Sequence, residues 1–229
     1  MNFALALFAV LAVIGLGQTH QFPSFGKGPL HEDIQDILDL VPAKDINEVF
    51  LDYYADDSEV KAAFDYLVST TIIKDLMIDF EAIPEVINLF NYLYKEGVDI
   101  YYLINEVNKA LDIKELEPPS HVHSTIMKKT GAGIAGLFKD INKVLPFEDF
   151  IHIYVQKIKT SPAFVSFVNQ LKSDNFQQIV NQFYDINSIQ TIHTFLKSKD
   201  VNTQIVADIM YIVLGITVPN NLDYVHVIL

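Results

Sequence analysis

Four groups of residues have types and spacings that could do chemistry, and each lacks a part its chemistry needs. Gly131-Ala132-Gly133-Ile134-Ala135-Gly136 is a literal G-x-G-x-x-G. A dinucleotide site also needs a strand before it, a helix after it and an acid about 20 residues on. Here Lys128-Lys129-Thr130 precedes it in a sequence of helical period, so a flexible or close-packed start to a helix is the reading. His31-Glu32 opens an H-E-x-x-H, but position 35 is Gln35 and the second zinc ligand is missing. His121 and His123 form an H-x-H in a Pro-containing stretch and read as an exposed linker. Asp75, Asp79, Glu81 and Glu85 crowd around Pro84. Paired carboxylates can move protons, yet the same stretch of the second half has Gln178, Gln182, Asp185 and Ser188 and mostly lacks them, so a solvated face is expected. With no G-x-S-x-G, P-loop or calcium loop present, we expect no catalytic group, no metal and no cofactor. Turnover that vanished on substituting Asp79, Glu81 or His193 would revive an enzyme reading.

The composition narrows the choice further. The chain has 229 residues, 50% apolar and 20% charged, which is globular rather than disordered. Its net charge is −13, against the positive field that nucleic acid requires, so no nucleic-acid partner is expected. Every cation is Lys, so no bidentate guanidinium is available. The absence of Cys removes disulfides, zinc thiolates and thiol nucleophiles together. Residues 1–17 run apolar from Phe3 to Ile14 and then turn to Gly15 and Gly17, the pattern of a secretory leader cleaved before Gln18. The mature chain is expected to be secreted, soluble and free of N-linked glycan.

The elements that must position any site repeat. Offset by 104, Leu40-Val41-Pro42 meets Val144-Leu145-Pro146, Val60 meets Phe164 and Leu67 meets Leu171. After one residue is deleted near Lys74 the offset is 103, and Phe80 meets Phe183, Ile83 meets Ile186 and Ile113 meets Ile216. The divisions are a leader 1–17, an extension 18–30, a first repeat 31–113, a linker 114–133 containing Glu117-Pro118-Pro119-Ser120, a second repeat 134–216 and a tail 217–229. The two repeats are expected to form one domain. Apolar residues recur at three and four, the spacing of an amphipathic helix. Helices are predicted over 32–40, 45–55, 58–69, 71–80, 84–96 and 99–112, and six more in the second half. The opening residues expected are Asp45, Asp57 or Ser58, Thr70 or Thr71, and Asp99, answered by Asp149, Ser161, Asp174 and Asp200. Only 224–229 reads as extended, so the fold class is all-α. The halves differ electrically: residues 40–113 carry net charge −10 and residues 144–216 carry −1.

The helices hold more apolar surface than so small a core can cover. Tyr92-Leu93-Tyr94, Ile100-Tyr101-Tyr102-Leu103-Ile104 and Ile72-Ile73 with Leu76-Met77-Ile78 place large side chains on more than one face. The surplus must face another chain, a membrane or an enclosed apolar space, unless it is ordinary core with exposed Tyr.

The twofold helical repeat, with a leader, no Cys and segments such as Phe64-Asp65-Tyr66-Leu67, Val86-Ile87-Asn88-Leu89-Phe90-Asn91-Tyr92-Leu93 and Asp99-Ile100-Tyr101-Tyr102-Leu103-Ile104-Asn105, resembles the insect allergen-related repeat family. That family includes the cockroach gut allergen and mosquito midgut microvillar proteins. The resemblance spans 31–216 and rests on a diffuse apolar pattern. It implies two six-helix repeats curled into a hollow capsule that holds fatty acyl chains or phospholipid, secreted into the gut lumen. It supplies no catalytic residues; a caterpillar branch forms nitriles from glucosinolate breakdown, but no residues here carry that activity over. Expected cavity-lining residues are Phe64, Leu67, Leu76, Phe80, Ile83, Phe90, Leu93, Leu103 and Val107, with Phe183, Ile186, Leu196 and Val206 from the second half. Lipid exchange through transient membrane contact would follow. The rival expectation is a non-catalytic structural protein of the microvillar surface whose apolar faces meet in an oligomer.

Overall fold

The computed structural model describes residues 24–117 and 134–219. The expected leader 1–17, the expected extension as far as 23, the linker segment 118–133 with His121, His123, Gly131 and Gly133, and the tail from 220 lie outside the described residues. Twelve α-helices fill the rest: α1 Pro29–Leu38, α2 Ala43–Asp56, α3 Ser58–Ser69, α4 Ile72–Glu81, α5 Pro84–Lys95, α6 Ile100–Ala110, α7 Ile134–Val144, α8 Phe147–Thr160, α9 Pro162–Leu171, α10 Asp174–Asp185, α11 Asn187–Lys197 and α12 Gln204–Ile209, the last continued by a π-helical turn Met210–Leu214. The described residues contain no strand, only one antiparallel backbone bridge between Gly26 and Val98. The all-α expectation holds.

Local chemistry sets the helix starts. The Asp57 carboxylate accepts from the Glu59 and Val60 amides and opens α3, Asp99 does so for α6, and the Ser161 hydroxyl opens α9 ahead of Pro162. Four expected caps move. Pro42 and Pro146, not Asp45 and Asp149, precede α2 and α8; each acid sits inside the first turn, where it still meets the positive end of the helix dipole. Ser173 caps α10, making Asp174 its first residue. Asp200 opens nothing. It takes a left-handed conformation, φ 54°, just past α11, and the Val201 amide reaches back to the Leu196 carbonyl at 3.1 Å. Gly97, its counterpart 103 residues earlier, does the same after α5 with φ 92°, and Val98 closes on Leu93 at 2.9 Å. Asp112 and Gly215 form a second such left-handed pair, also 103 apart.

Each half lends its helices to the other. α1 packs on α8 and α9, while α7 packs on α2; α4 packs on α11, while α10 packs on α5. The pairs exchange under an approximate twofold relation. One apolar cluster gathers α2 to α7 with α10 to α12, around Ile46, Val86 and Ile189, all 2% exposed or less. A second joins Phe25, Leu30, Leu93, Val98, Phe164 and Val168, beneath α1. Full burial of a Leu such as Leu30 stabilises by about 1.5–3 kcal/mol. The residues before α1 are tied to the α5–α6 turn, with Lys27 donating to the Gly97 carbonyl at 2.8 Å and Asp99 donating to that of Phe25 at 2.7 Å. A Cβ on Gly97 would lie 1.8 Å from the Lys27 carbonyl oxygen, so only glycine permits this crossing.

Candidate functional site

Nine of the thirteen expected lining residues belong to the two clusters. Leu76, Ile83, Phe90, Ile186 and Leu196 are buried in the larger one, and Phe80 and Phe183 pack half-buried against it. Leu93 is buried in the smaller cluster, with Leu103 against it. Phe64 packs edge-on with Phe50 at 5.4 Å and with Tyr54. Val107 is buried, while Leu67 and Val206 are half-buried.

The apolar surface left over concentrates in the second half. α8 carries Phe147, Phe150, Ile151, Ile153, Tyr154, Val155 and Ile158 in fourteen residues, and none is fully buried. Phe150 leans on the larger cluster and Tyr154 and Ile158 on the smaller. Beside them Phe147, Ile151 and Val155, four residues apart and therefore stacked along one face, stay open, Ile151 at 66% exposure. α12 and its π-helical turn repeat the situation with Ile205, Ile209, Tyr211 and Ile212, the last 79% exposed. Among the described residues of the first half, the exposed large apolar ones are Tyr66 and Ile78. A stripe of this kind marks a surface made to be covered.

Two of the hollows formed by described residues bear on this reading. One of about 360 Å³ straddles the twofold relation, with Asp79, Ile83, Gln182, Asp185, Ile186 and Asn187 around it. The other, of about 580 Å³, is edged by Gln177, Asn181, Asp185, Thr217 and Pro219. Both are open and rimmed by carboxylates and amides, unlike the dry apolar wall a hydrocarbon chain requires. The carboxylates near Pro84 do not converge. Asp75 accepts from the Thr71 hydroxyl at 2.8 Å, Glu81 from the Asn108 amide at 2.8 Å and Glu85 from Gln182 at 2.9 Å. Burial raises the Glu81 pKa above its ordinary value, opposed by the Asn108 hydrogen bond. His193 is buried against the Thr203 hydroxyl at 3.0 Å, and burial, with Lys197 nearby, lowers its pKa.

Polar bonds close the two seams where the first helix of each half meets the other half. On one side the Tyr53 hydroxyl donates to Asp140 at 2.5 Å, with burial and then this bond raising the tyrosine to about 12. On the other, Lys157 pairs with Asp33 at 2.9 Å and with Asp36, and the Ser161 hydroxyl donates to Asp33. Burial pulls the Lys157 pKa down, but its bonds to Asp36 and Asp33 outweigh that and leave it raised. Asp36 and Asp140 are counterparts 104 apart, as are Tyr53 and Lys157.

Residues 29–207, from the first residue of α1 into α12, match the family described as insect allergen related repeat, nitrile-specifier detoxification. The chain belongs to this family. It is also similar to Protein G12 of Anopheles gambiae, 22% identical over 183 residues that cover 79% of this chain and 85% of that protein.

For this member of the insect allergen related repeat family, the seam residues were invisible in the sequence. Asp33 and Lys157 lie too far apart for any local pattern to join them, and no motif contains Tyr53. Gly136, the last glycine of the G-x-G-x-x-G, is placed for packing: a Cβ there would sit 2.6 Å from the Tyr53 hydroxyl oxygen. The stripe Phe147, Ile151, Val155 did have a signal, its four-residue spacing.

Proposed function

We propose that the protein is a non-enzymatic carrier that shelters fatty acyl chains or phospholipid in an apolar space walled by its two six-helix halves, secreted into the gut lumen and able to exchange lipid with membranes. The observation that carries this reading is α8, whose seven large apolar side chains all stop short of full burial. A contiguous exposed apolar face of this kind marks a site of interaction. Hydrocarbon is the partner that asks for no specific hydrogen bonds, consistent with an exposed stripe made of Phe147, Ile151 and Val155. Burying a palmitoyl chain would gain on the order of 10 kcal/mol before ordering and desolvation costs.

Organic extraction of the purified protein followed by mass spectrometry tests the reading. Stoichiometric acyl lipid and a fall in thermal stability on stripping are expected, as linkage requires. Recovery of no lipid, with melting that depends on protein concentration, would replace it by the oligomer of a structural surface protein.

A further inference from the structure

The two seams share an architecture and differ in chemistry. α7 seats Ile134, Leu137 and Ile141, all apolar. The counterparts in α1 are Leu30, Asp33 and Ile37, so a carboxylate stands where α7 has leucine. Of six buried polar or charged residues among those described, three lie on α1: His31, Asp33 and Gln35. Asp33 is matched by Lys157, itself only 11% exposed, where the α7 seam has Tyr53. His31 sits edge-on to Phe25, its Nε2 3.5 Å from the Ser24 hydroxyl. In the cluster beneath α1, the Tyr92 hydroxyl is buried without a hydrogen-bond partner. A buried ion pair regains on exposure much of the hydration it lost on burial, because both ions recover their water, whereas the α7 seam, apolar but for the Tyr53–Asp140 bond, regains less.

We propose that α1 is the strap that lifts to admit and release the lipid, while α7 stays seated. This rests on the carrier reading and adds which of two equivalent helices moves. Leu30 and the bridge from Gly26 to Val98 act as the hinge-side anchors, and the Asp33–Lys157–Ser161 group is the latch.

Because the natural chain has no Cys, Asp33→Cys with Ser161→Cys allows one unambiguous disulfide across the latch, made and broken in the same folded sample. Loaded with a fluorescent palmitate analogue and mixed with phosphatidylcholine vesicles, the oxidised protein is expected to release it at least about tenfold more slowly than after reduction. In the unmodified full chain, α1 amides are expected to exchange hydrogen at least about tenfold faster than those of α7. Equal release from the oxidised and reduced forms would overturn the strap, as would α1 amides protected as well as those of α7. If neither form binds the palmitate probe or yields lipid on extraction, the carrier reading fails. The exchange comparison then decides alone whether α1 is the helix that lifts.

Discussion

The rings of Phe80 and Phe183 meet edge to face, with centroids 5.6 Å apart and planes at 84°, although 103 residues separate them. They hold the same place in the two halves, and two equivalent residues touch only where an approximate twofold axis passes between them. An edge-to-face pair of this kind couples by about 0.5–1.5 kcal/mol beyond area burial. Urea unfolding of Phe80→Ala, Phe183→Ala and the double variant should return that coupling; additivity within about 0.3 kcal/mol would remove the contact from the fold's energetics.

Gly136→Ala should destabilise the protein by about 1–3 kcal/mol even though Ala is the better helix former, because its methyl group meets Tyr53. Truncating the obstruction as Tyr53→Ala should make the same change at Gly136 neutral or favourable. A Gly136→Ala variant with an undiminished melting temperature in the Tyr53 background would refute the close-packing account.

Lys157→Met alone leaves Asp33 buried and unmatched, and should cost about 3–5 kcal/mol. Adding Asp33→Leu, the residue α7 has at that place, should recover that loss and can exceed the natural stability by about 1–4 kcal/mol. Denaturant midpoints of the three proteins decide it; a double variant no better than the single one would show that the pair adds net stability which apolar side chains do not replace.

At the left-handed positions the two halves should respond in opposite directions. Asp200→Gly should raise stability by up to about 1 kcal/mol, since glycine takes φ 54° without steric penalty. Gly97→Ala should lower it by more than that, because the added carbon strikes the Lys27 carbonyl. Calorimetry on both variants checks the sign.

Burial lowers the pKa of both His31 and His193 below the ordinary 6.5. The unfolded chain therefore binds more protons than the folded one between those lowered values and 6.5, so stability should fall as pH drops through that window and be unaffected by these groups above it. The raised Lys157 acts at the other end, its contribution present below 10.5 and lost as pH climbs through its folded value. His193→Phe, which copies Phe90, should flatten the acid slope of melting temperature against pH; an unchanged slope would falsify the assignment.

What the sequence revealed was what neighbours along the chain decide. Asp57, Asp99 and Ser161 mark helix starts because a cap bonds within three residues, and the offset of 104 then 103 was legible because apolar faces recur with it. Asp200 misled because the same short carboxylate suits both a cap and a left-handed turn, and only its match to Gly97 tells them apart. Each expected lining residue is apolar, and spacing tells no more of it than that. That Phe80 would find Phe183, or that Lys157 would leave its own half to meet Asp33, depends on how the halves exchange helices, and no periodicity contains that. The open stripe on α8 was legible in spacing but not in exposure, since which apolar face goes uncovered is decided by the helix that fails to arrive.

Because α1 lodges beside α8 and α9 while α7 lodges beside α2, neither half is whole by itself. A nick between α6 and α7 would leave fragments that still clasp one another, which makes the chain a natural scaffold for split-protein complementation.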